Sequence, residues 1–240
     1  MLSNYVSKQK FDNYDDFYNN FKISIPGDFN FAYDVVDYLA EKSPDRTAMV
    51  WCSDKGEEKV ISFYDMKYYS SKAANFLKSL GIKKGDRVML VLKRRFEFWY
   101  ALLALHRIGA IGIPATHLLT SKDIIYRCNS AGIKMIISVA DDEVVKHIND
   151  SRCKSPTLEY VAGVNGKADG WYDFDEELEK ASPDFNKPAG AEMTKNEDTM
   201  LLYFTSGTTG MPKMVLHDFT YPLGHISTAK YWQCVQENGL

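Results

Sequence analysis

Short continuous apolar runs recur along this chain, and longer stretches with apolar positions at helical spacing lie between them. Arg87–Leu92, Ile111–Ala115, Lys134–Val139 and Leu158–Ala162 are too short for buried helices and read as strands. Continuous rather than alternating apolar character marks strands covered on both faces. Between them, Phe96–Ile108, Ser121–Asn129 and the segment opened by Asp141-Asp142-Glu143 read as helices. Gly109 ends the first of these and Thr120 caps the second. Strand and helix in strict alternation predict an α/β fold with a helix-covered, mostly parallel sheet.

The flanks follow other patterns. Residues 1–30 read as an N-terminal arm, with Tyr14, Phe17, Tyr18 and Phe21 at helical spacing and a turn at Pro26-Gly27-Asp28. Residues 31–240 form the body. Phe29–Leu39 reads as an amphipathic helix stopped by Ser43-Pro44. Thr47–Trp51 and Lys59–Phe63 read as strands joined by a hairpin turn at Ser53-Asp54-Lys55-Gly56. A long helix, Tyr64–Leu80, ends at Gly81. Later, Val164–Gly170 reads as a loop, Asp173–Lys180 as a short acidic helix, and Ser182–Asp198 as an exposed connection. Phe219–Gln233 is the last helix, with Tyr231 and Trp232 as expected core anchors.

Candidate chemistry concentrates in Thr205-Ser206-Gly207-Thr208-Thr209-Gly210-Met211-Pro212-Lys213. An apolar strand, Met200–Phe204, precedes it, and Lys213–Leu216 reads as a strand after it. Glycines let a backbone turn close to an anion. Consecutive amides in such a turn form a concave anion-binding nest. Hydroxyls donate to phosphate oxygens or ligate magnesium, and lysine adds a mobile point charge. The stretch is not a Walker loop, which needs glycine directly before the lysine and serine or threonine directly after it. Here Gly210 stands three positions before Lys213 and Met214 follows. A bend between two strands is therefore expected, with no helix dipole aimed at the phosphate. The alternative is a surface turn that binds nothing.

With Tyr203-Phe204 before it and Met214-Val215 after it, this loop resembles the phosphate-loop signature of the AMP-forming acyl-CoA synthetases. Gly85–Leu92, Arg95–Tyr100, Ile113–Thr116 and Thr120–Arg127 resemble segments of the medium-chain branch, and Met214 suits that branch. The resemblance runs from about Phe31 to Leu240. It implies the incomplete N-terminal part of the large, AMP-binding domain of an acyl-CoA synthetase, with the C-terminal domain absent. It also implies a ligase that activates a short- or medium-chain carboxylic acid with ATP and magnesium, through an acyl-adenylate, and passes it to coenzyme A. Residues Thr205 through Lys213 would then hold ATP phosphates, Thr205 would contact Mg2+, and Lys213 would be catalytic. The family's adenine, ribose and acyl contacts come later in sequence, so this chain alone is expected to be inactive. Two other readings stand beside this one: an adenylating enzyme for aryl or amino acids, or a non-enzymatic α/β interaction module.

Composition narrows the partners. Charged residues make up 25% and the net charge is −3, so neither nucleic acid nor an anionic membrane is favoured electrostatically. Lys93-Arg94-Arg95, followed closely by Glu97, reads as a solvated helix entry. The most apolar stretch, Phe96–Ala115, is broken by Glu97, His106 and Arg107, which argues against a membrane span. The N-terminus is too polar for a secretory signal, and a cytoplasmic location is the default. Cys52, Cys128, Cys153 and Cys234 lack metal or redox spacing and are expected as free thiols. Unpaired sheet edges would favour self-association.

Overall fold

The computed structural model describes residues 2–206 and 210–236. A hairpin of β1 (Thr47–Cys52) and β2 (Glu58–Ser62) forms a small antiparallel sheet of its own. The main sheet has seven strands: β3 (Arg87–Val91), β4 (Ile111–Pro114), β5 (Ile133–Val139), β6 (Tyr160–Val164), β7 (Tyr172–Asp173), β8 (Thr199–Thr205) and β9 (Lys213–Asp218). Their order is β7-β6-β5-β3-β4-β8-β9, and every neighbouring pair is parallel except β8–β9. The predicted mostly parallel α/β sheet is what forms. The two-residue β7 is an addition that no apolar run announced.

Helices α3 (Phe63–Ser79), α4 (Glu97–Ile108) and α7 (Phe174–Lys180) pack as one group. Helices α5 (Ser121–Ala131) and α6 (Asp142–Arg152) form another. Both faces of the sheet are covered: in β5, Met135 and Ile137 are buried, and so are Ile136 and Ser138, which alternate with them. The capping signals act as read. The Thr120 hydroxyl accepts from the Asp123 amide, and Asp123 answers with a bond from the Thr120 amide. Gly109 closes α4 at φ +81°, where a side chain is strained, and an added Cβ would also lie 2.9 Å from Thr194 Cγ2.

Some expectations need correction. The helix expected over Phe29–Leu39 runs as a widened, π-type segment, Ala32–Asp37, continuing into α2 (Tyr38–Lys42). Its neighbours explain the stretch: Asp37 meets the buried Arg107 guanidinium at 2.6 Å, and the Tyr33 hydroxyl donates to the Arg107 carbonyl at 2.9 Å. The last helix is α8 (Tyr221–Ser227) followed by a widened turn, Thr228–Trp232. Tyr231 packs against Phe11, Phe17 and Phe21, which lie before, within and just after α1 (Tyr14–Asn20), but Trp232 is 84% exposed and anchors nothing among the described residues. Arg95 is not solvated charge. It pairs with Glu97 at 2.5 Å, and its guanidinium lies about as close to the Trp51 ring as to the Phe96 ring.

Candidate functional site

Parallel strands all point their carboxyl ends the same way, and ligands of open α/β sheets gather at that end. β8 leaves the sheet there at Thr205, beside β4. The chain returns antiparallel as β9, starting at Lys213. Thr205 and Lys213 are cross-strand partners, and the Thr205 hydroxyl donates to the Lys213 carbonyl at 3.4 Å. The strand–bend–strand geometry expected from the missing Walker spacing is thus what the fold contains. It brings the first and last predicted site residues together at a neck.

The other predicted residues distribute around that neck. Ser206, Gly210 and Met211 are exposed, and Pro212 is half-buried. Gly210 has φ +147° with open space where a Cβ would stand, so its value lies in the backbone turn and not in a close packing contact. Gly207, Thr208 and Thr209 lie outside the described residues. Lys213 is exposed and has no ion pair with another described residue. Among the described residues no structural carboxylate takes up its charge.

Two residues absent from the sequence-based selection touch this bend. The Tyr126 hydroxyl on α5 donates to the Pro212 carbonyl at 2.9 Å. The Arg127 guanidinium lies 5.1 Å from the Phe204 ring centroid, at the end of β8, and burial lowers its pKa. The Tyr126–Pro212 contact spans 86 residues in sequence, and no local pattern encodes either contact.

The same end of the sheet holds a crevice of about 860 Å³, lined by Lys93, Arg94, Thr116, His117 and Asn165 among others. A smaller apolar cavity of about 290 Å³ lies between the arm and the last helix, lined by Tyr5, Phe29, Val35 and Leu223, and shares no residue with the bend. Among the described residues, no three His, Cys, Asp or Glu side chains converge as a metal site. A cation at the bend would therefore take its ligands from a hydroxyl, from phosphate oxygens and from water, which is how magnesium is commonly held. The exposed Thr205 hydroxyl fits that donor set.

Comparison with known proteins decides the family. The sequence profile of the AMP-binding enzymes matches residues 36–238. The chain belongs to the AMP-binding enzyme family. Acyl-coenzyme A synthetase ACSM5, mitochondrial, of Rattus norvegicus is 37% identical over 227 residues, covering 91% of this chain and 38% of that protein. Rat ACSM4, mitochondrial, is 38% identical over 216 residues, covering 87% and 36%. ACSM3, mitochondrial, of Homo sapiens is 34% identical over 236 residues, covering 95% and 39%. The chain thus spans under two fifths of the length of these relatives. The solved structure of the anthranilate CoA ligase AuaEII in complex with anthranoyl-AMP shares the fold, with TM-score 0.71, 24% identity, and coverage of 87% of this chain and 38% of that one.

The AMP-binding family membership bears out the resemblance read from the loop and its flanking segments. It also corrects one expectation. The polar N-terminus pointed to a cytoplasmic location, whereas these relatives are named as mitochondrial. The reason is physical: the polarity of the first residues tests only for an apolar secretory segment, and mitochondrial targeting uses amphipathic segments that such a test does not see. Among the described residues no helix is long and apolar enough to cross a membrane.

Proposed function

We propose that this chain is the phosphate-holding, N-terminal portion of an AMP-forming acyl-CoA ligase acting on a short- or medium-chain carboxylic acid. The observation that carries this reading is the neck: Thr205 and Lys213 are paired where β8 ends, at the ligand-gathering end of the sheet. On this reading residues 205–213 hold the β- and γ-phosphates of ATP. An oxygen of the substrate carboxylate attacks the α-phosphorus, the bond to the bridging oxygen breaks, and pyrophosphate leaves. The thiol of coenzyme A then attacks the acyl carbonyl, loses its proton, and displaces AMP. In such phosphoryl chemistry, positioning and charge neutralisation do most of the work. Magnesium bound beside the Thr205 hydroxyl would neutralise phosphate charge. Lys213 offsets the charge that builds on departing pyrophosphate, and the neck holds its backbone in place.

Titration of the purified chain with magnesium-ATP tests the reading. An affinity that Lys213→Ala reduces at least tenfold supports it, while equal binding by both proteins removes Lys213 from this role. We also propose that the 240 residues alone form no thioester. Thioester formed by the purified chain from octanoate, ATP and coenzyme A would overturn it.

A further inference from the structure

Helix α5 meets the phosphate loop at both of its ends. At the entry, the Tyr126 ring stands edge-on to Phe204, with centroids 6.2 Å apart and planes at 65°. The neighbouring Arg127 guanidinium lies over the same Phe204 ring. At the exit, the Tyr126 hydroxyl donates to the Pro212 carbonyl. One side chain therefore spans the seven residues from 206 to 212 that separate the two strands.

The exit contact bears directly on Lys213. The peptide joining Pro212 to Lys213 is planar, and the described residues contain no cis peptide bond. In a trans peptide the carbonyl and the next N–H point in opposite directions. Holding the Pro212 oxygen therefore also sets the direction of the Lys213 amide and the start of its Cα–Cβ bond. The following peptide is held too, because the Thr205 hydroxyl bonds the Lys213 carbonyl. Lys213 is thus tethered through both of its flanking peptide planes, one by the neck and one by α5. A lysine side chain has many rotamers, and fixing its root reduces what must be ordered when it meets an anion.

The helix that carries the tether is itself held. Its first turn is closed by the Thr120–Asp123 capping box, and the Thr120 hydroxyl and amide bonds keep the Asp123 carboxyl below the usual carboxylate range. The preceding Leu119 carbonyl is 3.1 Å from Nδ1 of His147 on α6. We infer that Tyr126 is a positioning residue that sets the orientation of Lys213 and the exit of the phosphate loop. This rests on the proposal that the loop holds phosphate.

The test uses Tyr126→Phe, which keeps the ring against Phe204 and removes only the hydroxyl. Magnesium-ATP affinity is measured for the wild-type chain, Tyr126→Phe, Lys213→Ala and the double variant, with amide exchange at Lys213–Val215 and the melting temperature alongside. The expected result is affinity lower by roughly three- to tenfold in Tyr126→Phe, the scale of one neutral hydrogen bond. Exchange should rise at the loop exit while melting is unchanged, and the loss should vanish in the Lys213→Ala background. Wild-type affinity and exchange in Tyr126→Phe overturn the inference, and so does a loss that persists undiminished without Lys213. A wild-type chain that binds no magnesium-ATP overturns the phosphate reading instead. Exchange at the loop exit then decides Tyr126 by itself: if it does not rise in Tyr126→Phe, the inference falls.

Discussion

β5 and β9 belong to one sheet and both carry a run of apolar residues, yet their surroundings are opposite. In β5 (Ile133–Val139), six of seven residues are buried. In β9 (Lys213–Asp218), none is, and Leu216 is 59% exposed. β5 lies between β3 and β6 and packs against α5 and α6, whereas among the described residues β9 pairs only with β8. Apolar composition selects a strand in both cases; neighbours decide what that strand contributes. β5 stabilises the body. β9 instead presents Lys213 at its first position, beside the bend, where an exposed charge can meet a ligand.

This contrast can be broken by measurement. The largest effect is expected in the body. Arg107 is 1% exposed and is held by Asp37 and Ser70. Asp37→Ala leaves a buried cation without its counter-charge and should cost about 3–5 kcal/mol in urea unfolding. Ile136→Ala in β5 should cost about 2–5 kcal/mol by the same measurement, since Ile136 is fully buried. A loss below about 1 kcal/mol would show that β5 is not the packed strand described here. Lys213→Ala should leave unfolding unchanged but lower magnesium-ATP affinity at least tenfold, or about 1.4 kcal/mol.

His106 offers a pH-dependent test of the body. Burial, with Arg107 beside it, lowers its pKa from 6.5 to about 3, and neither ring nitrogen has a partner among the described residues. Between those values the unfolded chain binds a proton that the folded chain refuses, so stability falls as pH drops below about 6.5. From pH 7 to 5.5 this group should remove about 1 kcal/mol, and His106→Phe should flatten that part of the curve. Equal slopes in both proteins would remove His106 as the cause. The smallest effect is expected at the edge: Leu216→Ala should change stability by less than about 0.5 kcal/mol. A larger loss would mean that β9 is covered in solution.

Much of the body was legible along the chain. The cap at Thr120, the stop at Gly109 and the runs forming β3, β4 and β5 are local signals, and each appears where local chemistry places it. The bend between Phe204 and Lys213 was legible too, because lysine spacing separates it from a Walker loop before any contact is known. Other features had no local signal. The two-residue β7 exists only because β6 offers it an edge. Trp232 looked like an anchor by size, but it ends a turn that faces solvent. The widened segment Ala32–Asp37 answers to Arg107, 70 residues further along.

Residue order alone determined the kind of each main element and the chemical character of the bend, because caps, glycine stops and apolar periods act over a few residues. Only the tertiary structure decided that β5 is enclosed and β9 exposed, and that Tyr126 reaches Pro212. Those outcomes depend on which strands become neighbours. Pairing across scores of residues is settled by packing and backbone hydrogen bonding in the assembled sheet, which no short window of sequence contains.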